Sequence, residues 1–252
     1  HASTLGFELT SGRRPVVVNC GSGTQFGETW RRAGRATPSH STLGIDGASS
    51  SRLAASVAGT PPGLQPFAEV PGEVRLQAGS TAETLTLMVG HDGYVPTTGL
   101  THVRRLTLGR DGRSLTGEDT LGALTEVDRD RFEDVVSRRR DDGVPFSVRF
   151  HLHPDVDATI DLNGSMVSLE LKSGEIWVFR HDGSARLSLE SSVYLESGRL
   201  KPRSSRQIVL AERVTDFAGQ IGWTLAKAQD TPQAVRDLAR DEEDLYFDPL
   251  TS

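Results

Sequence analysis

Seven histidines supply most of the chemistry this sequence can offer: His1, His40, His91, His102, His151, His153 and His181. Two arrangements stand out. In His151-Leu152-His153 the imidazoles are two positions apart, so on a strand they share a face and both can reach one metal ion. Two ligands do not complete a tetrahedral site, and spacing alone favours a hydrogen-bonded pair on a solvated face. The second arrangement is His1, Asn19 and His40, spread over the first three strand segments, where hairpins would bring strand ends together. Cys20 beside Asn19 is a softer ligand, and Gly21 marks a tight turn next to it. The blander reading makes His1 a frayed end, Cys20 a buried apolar residue and His40 a hydrogen-bonding loop residue.

Arginines give these histidines a possible substrate. Arg31, Arg32 and Arg35 precede His40, and Arg104 and Arg105 follow His102. Such a patch can hold carboxylate or sulfate groups through bidentate guanidinium contacts. A solvated rim is an equal reading, since surface arginine is common. Trp30, Tyr94 and Trp177 are able to stack on sugar rings, though buried Trp and Tyr more often belong to a core. The candidate substrate contacts are Arg35, Tyr94, His102 and Arg105.

The elements that must position these groups are strands. Leu5, Phe7 and Leu9 alternate with polar or small residues, and Val16-Val17-Val18 is a β-branched run. Strand signals recur at 41–46, 72–78, 83–90, 101–108, 144–152, 156–162, 165–171, 174–180, 184–190, 205–212 and 218–227. Asn163-Gly164 and Asp182-Gly183 are strong hairpin turns, because these residues accept positive φ cheaply. Residues 22–39 and 58–72 read as loops. Only 129–140 and 232–240 read as helices, the latter starting at Pro232 after Thr231. Residues 241–252 read as an acidic tail. The expected fold is an all-β antiparallel multi-sheet sandwich over 1–230, with at most two short helices.

Composition sets the boundaries. With 36% hydrophobic residues, the chain can bury one substantial core. A net charge of −6 argues against nucleic acid as a partner. No apolar run approaches the ~20 residues that span a bilayer, so no membrane partner is expected. The single cysteine allows no internal disulfide, which leaves the compartment open. The chain starts at His1 and not at Met, as a processed, excised or truncated chain would.

Read in order, the blocks carry a family resemblance. HASTLGFELTSGRRPVVVNCG resembles the strand pair opening the C-terminal domain of heparinase II/III-like polysaccharide lyases, where a His-Ala element precedes L-x-F-E-L. RATPSHSTLGIDGASSS is similar to the family's next block. GHDGY, GLTHVRRLTL, LTGEDTL, RFHLHPDV, ESSVYL and RQIVL follow in the expected order. The resemblance covers roughly 1–227; each block is weakly specific and the ordered sum is fairly specific.

The resemblance implies a β domain that joins an N-terminal α/α toroid domain and forms one wall of the cleft between them. Substrates would be acidic, uronate-bearing polysaccharides of the heparin or heparan sulfate kind, cleaved by β-elimination. That reaction removes the C5 proton while the carboxylate is neutralised, so it needs a base within hydrogen-bond reach. The base, a tyrosine, would come from the toroid. The implied catalytic residue here is His40, and the implied metal positions are His1, Asn19 and His40, with zinc as the metal. Asn19 departs from the family's usual acidic ligand, and a neutral amide is a poorer zinc ligand. The implied location is the periplasm or cell envelope, with the cytoplasm as the alternative. Three rivals stand beside the lyase: a non-catalytic module for acidic glycans, a purely structural domain, and a small metal-dependent enzyme built on His151 and His153.

Overall fold

The computed structural model describes residues 1–54, 65–140 and 142–229. The strands are β1 (Leu9–Ser11), β2 (Arg14–Val18), β3 (Leu43–Ile45), β4 (Arg52–Leu53), β5 (Phe67–Glu69), β6 (Val74–Ser80), β7 (Thr84–His91), β8 (Thr101–Gly109) and β9 (Ser114–Gly122), followed by β10 (Val144–Leu152), β11 (Val156–Ile160), β12 (Met166–Leu171), β13 (Ile176–His181), β14 (Arg186–Tyr194), β15 (Arg203–Val214) and β16 (Ala218–Gln229). Three α-helices, α1 (Glu28–Gly34), α2 (Val95–Thr98) and α3 (Glu126–Arg138), lie between them.

Six strands form one sheet in the order β1-β2-β10-β15-β14, with β3 also paired to β10. Eight form the second, in the order β11-β12-β13-β16-β9-β8-β7-β6, and β4 and β5 make a separate pair. All pairings are antiparallel. The two large sheets pack face to face as an all-β sandwich. Phe150 of β10 meets Phe179 of β13 and Trp223 of β16, with ring centroids 4.8 and 4.7 Å apart. Such offset and edge contacts add to the area the rings bury. Alternation explains the arrangement: Val144, Phe146, Val148, Phe150 and Leu152 all point inward from one strand and are buried.

The strand signals from 41 onward hold with shifted ends, whereas of Leu5, Phe7 and Leu9 only Leu9 enters a strand and Leu5 turns at a φ of 60°. The glycines of the two hairpin turns, Gly164 and Gly183, have φ of 66° and 87° as those turns require. Three differences matter. Residues 22–39 contain α1 and two 3-10 turns. Helices number three among the described residues, not two. Strand β9 was not expected, because SLTGEDTLG holds two glycines and two acids and shows no apolar run. Gly117 is required there: a Cβ would fall inside the Trp223 indole. The expected helix at 232–240 and acidic tail at 241–252 lie outside the described residues, as do residues 58–64 of the expected loop at 58–72, whose remainder contains β5.

Among the described residues no helix is long and apolar enough to cross a membrane. Strand β6 ends the larger sheet, and Leu76 at its centre is 71% exposed.

Candidate functional site

Strand β10 is flanked on one side first by β2 and then by β3. Val18 pairs with His151, and Leu43 pairs with Val148. His40 lies on the segment that crosses from one strand to the other. Ser41 holds this crossing: its hydroxyl donates to the Val18 carbonyl (2.7 Å) and accepts from the His151 N–H (2.9 Å). Thr42 offers its carbonyl to the Arg149 N–H (3.1 Å). The backbone groups that a sheet would pair are thus satisfied locally.

The N-terminal segment is laced to the same crossing. The Ala2 N–H donates to the Arg35 carbonyl and the Thr37 hydroxyl to the Ala2 carbonyl, both at 2.8 Å. These bonds bring the His1 ring edge-on to the His40 ring, 5.4 Å between centroids. His1 is exposed and His40 is 3% exposed. Both ring nitrogens of His40 are buried without a well-formed hydrogen bond; among the described residues the Gly34 backbone is the one hydrogen-bonding group placed to interact with the ring. Burial, reinforced by the neighbouring His151, lowers its pKa from 6.5 to about 4, so the ring is neutral at pH 7.

Asn19 is a strut in this region. Its amide N–H donates to Glu8 Oε1 and its carbonyl accepts from the Ser41 N–H, both at 2.9 Å. Next to it, Cys20 Sγ lies 3.4 Å from His151 Nδ1, which also meets the Ser192 hydroxyl at 2.8 Å. The other nitrogen of His151 donates to the Pro38 carbonyl (2.9 Å), so Nδ1 is the acceptor. Burial raises the Cys20 pKa. The thiol therefore stays protonated, a poor nucleophile.

Beneath the N-terminal segment runs a buried polar chain. The Gly93 N–H donates to His91 Nδ1 (3.0 Å), which leaves His91 Nε2–H to donate to His102 Nδ1 (3.3 Å). His102 Nε2–H then donates to Asp119 Oδ1 (2.8 Å). Asp119 also accepts from Arg104 and from the Trp223 indole N–H (3.0 Å). Burial lowers the His91 pKa to about 3 and lowers that of His102 as well, so both rings are neutral links. Arg104 Nη1 donates to the carbonyls of Leu5 (2.8 Å) and Ser41 (3.0 Å). The chain of bonds thereby clamps the two segments that carry His1 and His40.

Residues 1–224 match the model of the family described as heparinase II/III-like, C-terminal. The chain belongs to that family. Among curated proteins it is similar to FtsZ-localized protein C of Caulobacter vibrioides, 31% identical over 237 residues, which cover 90% of this chain and 38% of the relative. Among solved structures it is similar to the heparan sulfate lyase HepC of Pedobacter heparinus, with TM-score 0.65 and 14% identity over 92% of this chain and 31% of that one. A heparinase III structure superposes with TM-score 0.66 at 11% identity, over 93% and 31% of the two chains. The chain thus spans about a third of the length of these proteins.

Of the residues expected at the site of this heparinase II/III-like domain, the fold gathers His1, Asn19, His40 and Arg35. Arg35 donates from Nη1 to the Gln65 carbonyl (2.7 Å) and lies over the Phe67 ring. It also lines a cavity of about 350 Å³ with Arg32, Arg52 and Glu69. Tyr94 and His102 must be corrected as substrate contacts. Both are fully buried; the Tyr94 hydroxyl donates to the Leu43 carbonyl (2.9 Å), and His102 belongs to the chain above Asp119. Arg105 is exposed, but it pairs with Glu118 across β8 and β9 on the face opposite Arg104 and Asp119. The eight-stranded sheet separates it from His40. His151 and His153 do not share a ligand position, since His151 spends its nitrogens on Ser192 and Pro38, and His153 Nδ1 accepts from the Asp155 N–H (3.2 Å).

The metal positions fit a zinc ion poorly. Asn19 already engages both ends of its amide. Two imidazoles remain, short of a tetrahedral set. Among the described residues no group of three His, Cys, Asp or Glu side chains is placed to hold a metal. Sequence reading missed Asp119, the hub of the buried chain. Its one signal was the opposite charge of Arg104, which becomes readable only after β9 is paired with β8.

Proposed function

We propose that this chain is the β domain of a lyase that cleaves uronate-bearing polysaccharides by β-elimination. Its His1–His40 pair faces an N-terminal toroid domain across the substrate cleft. One observation carries the reading: His40 holds two buried nitrogens without a well-formed hydrogen bond, beside the exposed imidazole of His1, a residue whose amino group feels the Arg35 charge. A buried polar group left unpaired costs about 1–3 kcal/mol, and such a cost persists where a ligand or partner group completes the bond in use. Neutral His40 offers one N–H donor and one acceptor. In the complex it supports a proton donor or orients His1, while Arg35 draws the uronate carboxylate. The C5 base belongs to the toroid.

The test is made in the full-length parent with heparan sulfate. His40→Ala is expected to lower formation of unsaturated uronate, followed by ultraviolet absorbance, by about two orders of magnitude, the typical worth of a positioned proton-transfer group. Unchanged turnover in that variant would end the reading.

A second reading has support of its own. The curated relative is named for its localisation with FtsZ, and Asn19 replaces the acidic group expected beside the histidines. On this reading the domain is a non-catalytic binding module that keeps the lyase fold. A parent with no turnover on heparan sulfate, other glycosaminoglycans or alginate, yet with retained binding, would favour it.

A further inference from the structure

Away from the histidine pair, four separate stretches of chain converge on a hollow of about 250 Å³ rich in ion-paired bases. Arg14 comes from β2, Asp155 from the turn before β11, Lys172 from just after β12, Glu196 and Arg199 from the β14–β15 connection, and Arg203 from the start of β15. Lys172, Arg199 and Arg203, the three bases paired to Asp155 and Glu196, outnumber those two carboxylates by one, in a chain whose formal net charge is −6.

The carboxylates organise the cations without cancelling them. Asp155 Oδ1 accepts from Lys172 Nζ (2.9 Å) and Arg203 Nη2 (2.8 Å). Glu196 Oε2 accepts from Arg203 Nη1 (3.1 Å) and Arg199 Nε (3.3 Å). Each acid therefore serves two bases at once. Burial alone would raise the pKa of both acids, but the hydrogen bonds from these bases outweigh it and hold both carboxyls below their ordinary range. The guanidinium of Arg203, bracketed at both ends, is already ordered, so a ligand has less side-chain freedom to remove. Guanidinium forks match the oxygen spacing of tetrahedral anions.

We propose that this hollow binds a tetrahedral oxyanion, as a phosphate or sulfate ester group. The hollow is wider than a bare ion, so it also admits part of the carrier. It lies apart from the first site: Arg14 precedes Asn19 by five residues of extended chain, about 17 Å. The inference therefore does not rest on the lyase reading.

Calorimetric titration of the protein with inorganic phosphate, inorganic sulfate, glucose 6-phosphate and glucose 6-sulfate tests it. Saturable binding that weakens with added sodium chloride is expected for at least one probe. Tighter binding of the sugar esters places the carrier in the hollow, and tighter binding of the inorganic ions identifies the free oxyanion as the occupant; both support the site. Lys172 and Arg199 are 63% and 62% exposed, so the double variant Lys172→Ala/Arg199→Ala keeps the fold. It should bind at least tenfold more weakly. Arg203→Lys, which retains charge but cannot bridge Asp155 and Glu196, should lose several-fold. His40→Ala should bind as the unmodified protein does. No saturable binding of any of the four probes, or unchanged affinity in the double variant, would overturn the proposal.

Discussion

The Asp119 carboxylate grips the Arg104 guanidinium through two hydrogen bonds, of 2.8 and 3.0 Å, and neither residue has any solvent exposure. Asp119→Ala strands a buried cation and also removes the acceptor of His102 and Trp223. A loss of about 3–5 kcal/mol is expected in chemical denaturation. Replacing both partners, with Arg104→Met and Asp119→Leu, should recover only part of it: no charge is stranded, but His102, Trp223 and the Leu5 and Ser41 carbonyls lose their partners. A single-variant loss under about 1 kcal/mol would show that the pair is not the clamp described.

Acidification should destabilise the protein through its buried histidines. His40, His91 and His151 have folded-state pKa values depressed from 6.5 to about 4, 3 and 4. The unfolded chain takes up protons first as pH falls below 6.5, so stability is full above that value and declines toward pH 4. Each such histidine contributes at most about 1.4 kcal/mol per pH unit. His40→Phe removes one of these protons and two unsatisfied nitrogens. Its urea midpoint should equal or exceed that of the unmodified protein at pH 5, and the slope of stability with pH should be smaller.

Gly117→Ala should unfold the sandwich locally or cost about 3 kcal/mol or more, since the added methyl overlaps the Trp223 ring at the centre of the core. Gly79→Ala on β6 meets nothing within 4 Å and serves as the control. Thermal melts of the two variants should separate clearly.

Metal analysis of the purified protein gives a further check. With Asn19 engaged at both ends of its amide, zinc is expected well below one equivalent. One tightly held equivalent, lost in His40→Ala, would show that Asn19 gives up its bonds to bind the ion.

The strands and the sandwich were readable because local signals carry them: period-two alternation and Asn-Gly and Asp-Gly turns. The meeting of His1 with His40 followed only from the ordered blocks of the family resemblance, since spacing alone favoured the blander reading. Strand β9 was not readable, because its glycine answers to a tryptophan about a hundred residues away and its aspartate answers to Arg104. Tyr94 and His102 misled for a related reason. A residue type able to bind a sugar is also able to satisfy a core, and only the long-range partner, Leu43 or Asp119, decides between them. Arg104 and Arg105 show the limit most sharply, since adjacent positions on one strand went to opposite faces of the sheet.

Strand β6, at the rim of the larger sheet, bears on how the protein behaves in solution. A rim strand with exposed aliphatic side chains is a template for pairing with other chains. Arg75, held by Glu73 at 2.7 Å, puts charge on that strand beside Leu76. Charged rim residues discourage stacking of one molecule on another, and salt weakens that protection. Concentrated stocks should therefore keep best at low ionic strength, and neutralising Arg75 should bring on aggregation before it alters the melting temperature.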